Sequence, residues 1–99
     1  MPRKHRTPEI KKAVGLRLRA ARLAVGLEQK DACKAVAVGK STWSMWETGE
    51  RLADPYAMMR FASRFGITLD WVYLGNAAGL PADVRKLVLF HSASLPVGV

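Results

Sequence analysis

The sequence holds one cysteine, Cys33, so an internal disulfide is excluded. A lone thiol fits a reducing compartment. Long apolar runs are also missing, and no stretch approaches the roughly 20 residues that a membrane span requires. No signal-type apolar core follows the basic N-terminus, so no export signal is expected. Strand-like alternation and internal repeats are absent. His5 and His91 stand far apart with no Cys or acidic cluster beside them, so no metal site is expected. No Ser-His-Asp or Cys-His set can be assembled. No catalytic residue, enzymatic activity or cofactor is therefore expected.

Negative charge is scarce at one end. Lys and Arg number 16 against 8 Asp and Glu, for a net charge of +8. Residues 1–22 carry eight of those cations against one acid, Glu9. The remaining cations and acids nearly balance. The positive charge is thus an N-terminal feature, and a polyanion, nucleic acid first, is the expected partner. The plainer reading is a solubilising arm. With 99 residues, 49% of them hydrophobic, one domain with a thin core is expected.

The apolar residues that are present sort into helices. Thr7-Pro8 reads as a cap and a first-turn proline. Ile10, Val14, Leu18, Ala21 and Val25 form a stripe closed by Gly26, which predicts a helix over 8–25. Gln29 to Val36 repeats the spacing, with Ala32, Cys33 and Val36 inward. Lys40 to Thr48 fits a third helix ending at Gly49. Asp54 caps a fourth that begins at Pro55, runs to Phe65 and buries Met58, Phe61, Ala62 and Phe65. A short fifth helix is expected in Ile67–Gly75 with Thr68 as its cap. A sixth runs from Pro81 to Phe90, with Val84, Leu87 and Val88 on one side. The fold class is all-α with short connections.

Gly39-Lys40-Ser41-Thr42 ends like a phosphate-binding loop. Such a loop requires glycine where this chain has Lys34, and it must follow a buried strand rather than a helix. Neither condition holds, so nucleotide hydrolysis is rejected. On a helix, Trp43, Trp46 and Glu47 fall on one side and Ser41, Ser44, Met45 and Thr48 on the other. The first side is bulky and buries itself. The second is short, polar and neutral, and can approach another molecule closely. A short helix presented this way after a tight turn is the helix-turn-helix pattern.

Residues 15–75 resemble the XRE family of helix-turn-helix domains, shared by phage repressors and Cro proteins. The matching residues are GLRLRAAR (15–22), GLEQ (26–29), VGKSTWSMWETG (38–49) and GITLDWVYLG (66–75). The resemblance implies a five-helix repressor-like bundle, here with an additional C-terminal helix, and with the third helix in the DNA major groove. It implies that Gln29 binds a phosphate. It also implies that Arg22 and Glu47 form a partly buried structural ion pair. The chain departs from the family at Ala37, where glycine is usual at the turn. Ala21 and Ala32 replace large aliphatics and Trp43 replaces isoleucine or valine, which suggests a repacked core of similar volume. Met45 stands where Arg or Lys is frequent, which removes an obvious guanine reader.

The candidate base contacts are then Lys40, Ser41, Ser44 and Met45. Lys40 can reach guanine or a phosphate, and Met45 can pack on a thymine methyl. Gln29, Thr48 and Arg51 are the phosphate candidates. Arg3, Lys4 and Arg6 form an arm for the minor groove or the backbone. The expected organisation is a flexible basic arm (1–7), a DNA-binding domain (8–76), and a C-terminal helix and tail (77–99) that serves dimerisation or folds back. The expected function is a sequence-specific double-stranded DNA-binding regulator. It would be a repressor of a bacterium or phage, acting as a homodimer in the cytoplasm on the nucleoid. The alternatives are the antitoxin of a toxin–antitoxin pair, with a toxin as protein partner, and a protein-interaction module that does not bind DNA.

Overall fold

The computed structural model describes residues 7–93. The arm residues Arg3, Lys4 and Arg6 lie outside that range. Six helices follow one another: α1 (Thr7–Ala24), α2 (Gln29–Ala35), α3 (Lys40–Thr48), α4 (Pro55–Phe65), α5 (Asp70–Leu74) and α6 (Ala82–Ala93). There is no strand among the described residues.

Local chemistry sets most of the boundaries. The Asp54 carboxylate accepts from the Ala57 N–H at 2.9 Å, and Pro55 occupies the first turn of α4. Thr68 Oγ1 accepts from the Trp71 N–H at 3.1 Å and starts α5, a single turn of π-type winding. The Glu28 N–H donates to the Asp31 carboxylate at 3.2 Å where α2 begins. Gly49 and Gly66 end α3 and α4 in the left-handed conformation. The α2 terminus uses the same geometry without glycine. Ala37 has φ 60°, its N–H bonds the Lys34 carbonyl, and the Val38 N–H bonds the Cys33 carbonyl. Those two bonds are the Schellman pattern.

The core lies between α1 and everything else. Val14, Leu18 and Ala21 of α1 are buried with Ala32 and Cys33 of α2, Val36 just past its end, Trp43 and Trp46 of α3, Met58 and Phe61 of α4, and Trp71 and Val72 of α5. Trp43 is fully buried, its ring 5.4 Å from that of Phe61 and 5.8 Å from that of Trp46. Ile10, expected in the stripe, is exposed, because the N-terminal turn of α1 extends past the core. Met59, next to buried Met58, is exposed.

α6 folds back on its own bundle. Leu80 and Val88 are buried in the core, and Val84 packs against its edge. Leu87 stays exposed, so the expected stripe is split between inside and outside. Trp71 is buried too, its ring nitrogen donating to the Arg17 carbonyl at 3.0 Å. Tyr73 is half-buried and donates to the Ala53 carbonyl at 2.9 Å. Neither aromatic is available to an outer patch.

Candidate nucleic-acid interface

α3 is held by its back. Gly15 of α1 lies under the end of α3, where a Cβ would come within 2.4 Å of the Trp46 carbonyl oxygen. At Gly49 a Cβ would meet the Lys12 backbone at 2.8 Å. Two glycines, one on each partner, let the backbones approach this closely.

Behind α3 sits a buried carboxylate with four donors. Arg22 Nε and Nη2 donate to Glu47 Oε2 and Oε1 at 2.6 and 3.1 Å. Trp43 Nε1 donates to Oε2 at 2.6 Å, and Gln29 Nε2 donates to Oε1 at 3.0 Å. The third guanidinium nitrogen, Nη1, reaches the Leu27 carbonyl at 2.9 Å. This forked, charge-assisted pairing joins α1, α2 and α3 at one point. From the outside, Arg60 of α4 donates to the Val36 carbonyl at 2.8 Å, satisfying an open carbonyl at the end of α2. α2 is therefore tied to α3 through Glu47 and to α4 through Arg60.

The other face of α3 is free. Lys40 and Ser41 are exposed, and Ser44 and Met45 are half-exposed. These four line one shallow depression together with Gln29. Thr48 and Arg51 lie beyond its far end, both exposed, with the Thr48 hydroxyl donating to the Met45 carbonyl at 3.2 Å. Gln29 differs from expectation in one respect. Its side-chain nitrogen is turned inward to Glu47, so only its N–H groups not used there could serve a phosphate. The Trp43 bond was legible in principle, since Trp43 and Glu47 stand four apart on one helix face. Nothing in the sequence marked Arg60 or Arg17. Arg17 donates to the Val72 and Tyr73 carbonyls at 3.0 Å each and ties α1 to α5. Burial lowers its pKa. Burial, with Asp54 nearby, raises that of Tyr73 to about 12.

A free, short-chained polar face on a rigidly backed helix, preceded by a second short helix and a tight turn, describes one known module. A family model described as a helix-turn-helix domain matches residues 13–87. The chain belongs to the helix-turn-helix domain family. No curated protein and no solved structure gives a match. In this helix-turn-helix domain α2 and α3 are the paired helices, and the matched region takes in the docked part of α6. Among the described residues no group of three His, Cys, Asp or Glu side chains could hold a metal ion. No helix among them is long and apolar enough to cross a membrane.

Proposed function

We propose that this helix-turn-helix protein is a sequence-specific double-stranded DNA-binding transcriptional regulator of the XRE type, a repressor that acts as a homodimer. It has no enzymatic activity and works on the nucleoid in the cytoplasm. The observation that carries this reading is the depression formed by Lys40, Ser41, Ser44 and Met45 with Gln29, on the face of α3 opposite its buried anchor. A helix presented in this way can lie in a major groove with its first residues against base edges. Lys40, Ser41, Ser44 and Met45 contact bases. The Gln29 backbone N–H, Thr48 and Arg51 contact phosphates. Arg3, Lys4 and Arg6 add affinity from the arm.

Selection from random duplexes tests the reading directly. An enriched two-fold site supports it, and no enrichment over input sinks it. On the enriched site, alanine at Lys40, Ser41 or Met45 should cost about 1–3 kcal/mol, with little loss on scrambled DNA. Equal losses on both would reduce these residues to backbone contacts. Deleting residues 1–6 should flatten the plot of log K against log salt by about 0.9 for each phosphate the arm neutralises. An unchanged slope would leave the arm a solubility feature.

A further inference from the structure

The buried carboxylate fixes more than the fold. Glu47 faces the Arg22 guanidinium at 2.6 Å, and both of its oxygens accept hydrogen bonds from Arg22, Trp43 and Gln29. The Gln29 amide must therefore turn its nitrogen toward Glu47, as it does at 3.0 Å, because the flipped amide would set oxygen against oxygen. The Gln29 carbonyl oxygen is then the atom left over. No donor of this chain reaches it among the described residues, and the residue lines the depression shared with Lys40. A phosphate offers no hydrogen to such an oxygen. A base with an exocyclic amine does.

Lys40 completes the pattern. An ammonium and an amide oxygen in one depression present a donor and an acceptor together. In the major groove a G·C pair offers the complement, guanine O6 and N7 as acceptors and the cytosine N4 amine as donor. We propose that Gln29 and Lys40 read one G·C pair jointly, with Lys40 on the guanine and the Gln29 carbonyl oxygen on the cytosine amine. The proposal rests on the DNA-binding reading above. It makes Gln29 a specificity residue whose orientation Glu47 sets from behind, so that the core and the reading surface share one hydrogen-bond network.

The test compares the wild-type chain with Gln29→Met and Lys40→Met in random-duplex selection, followed by binding to the selected and a scrambled duplex. The wild type should enrich a G·C pair at one position of each half-site. Both substitutions should relax that same position by about tenfold beyond whatever loss each shows on scrambled DNA. A further arm uses only the wild-type chain, so folding of a variant is not at issue. A selected duplex whose cytosine at that position lacks the exocyclic amine should bind about tenfold more weakly. Three results overturn the proposal while leaving DNA binding intact. They are equal loss on both duplexes for Gln29→Met, relaxation at different positions for the two variants, and undiminished binding to the amine-free duplex. Failure of the wild type to enrich any sequence removes the DNA-binding reading itself, and this proposal with it.

Discussion

Glu47 is the residue on which the paired helices converge. Four donor atoms from Arg22, Gln29 and Trp43 meet its two oxygens. Glu47→Leu would leave a buried guanidinium, an indole N–H and an amide without their acceptor. Removing one partner of a buried ion pair typically costs about 3–5 kcal/mol, so urea denaturation should show a loss of that order. A loss under about 1 kcal/mol would mean that water replaces the carboxylate and that the site is not sealed. Tyr73 gives a second residue-scale prediction, and its sign follows from proton linkage. Its folded pKa is raised to about 12 from the ordinary phenol value of 10.0. Between those values the unfolded chain has lost the phenolic proton while the folded chain keeps it. Stability is therefore fully present below pH 10 and falls as the pH rises toward 12. Tyr73→Phe should flatten the fall in melting temperature across that window relative to wild type. Parallel curves for the two proteins would show that the phenol is not the titrating group.

At the scale of elements, the helices and caps were legible because they are local. Asp54-Pro55, Thr68, Gly49 and Gly66 act within one turn of their own positions, and each sits where the sequence placed a boundary. The inward and outward sides of α3 were legible for the same reason, from 3.6-residue periodicity alone. What the sequence hid is pairing between helices. The bonds of Arg17 to α5 and of Arg60 to α2 depend on how helices cross, and no spacing along the chain encodes that. Gly15 is another case. As one glycine inside a helix it reads as a weak point, yet it is where α1 and α3 touch backbone to backbone. Gly15→Ala should therefore destabilise despite alanine's higher helix propensity. The added carbon would lie 2.4 Å from a main-chain oxygen that cannot rotate away, and overpacking of this kind costs about 1–3 kcal/mol or more. A raised melting temperature would show that α1 can shift at no cost. The α2–α3 turn gives the opposite expectation. Ala37 is held at φ 60°, where a side chain costs about 1–2 kcal/mol, and it is exposed. Ala37→Gly relieves that strain, offset by the entropy of a freer unfolded chain, and should raise stability by about 0.5–1 kcal/mol. No gain on thermal melting would mean that the turn is already relaxed.

At the scale of the whole molecule the open matter is how two reading heads are joined. One helix-turn-helix contacts few base pairs, and two heads on half-sites about 34–36 Å apart lengthen the address. The C-terminal segment is the expected place for a dimer contact, and the fold narrows it. Trp71, Leu80 and Val88 are spent on the bundle's own core, so a chain cut at Asn76 would strip α1 of cover rather than remove a dimer contact. What faces outward on α6 is Leu87, Leu89 and Phe90, with Phe90 68% exposed. Three large apolar side chains on one short helix form the kind of surface that a second copy can cover across a two-fold axis. The full chain should therefore sediment as a dimer at micromolar concentration without DNA. Leu87→Glu with Phe90→Glu should give a monomer that melts at nearly the wild-type temperature, because both positions lie outside the core. Val88→Asp should instead unfold the protomer, because that side chain is fully buried. A wild-type monomer under these conditions removes the proposed dimer of the free protein. A doubly substituted protein that remains dimeric keeps the dimer and moves its interface off α6.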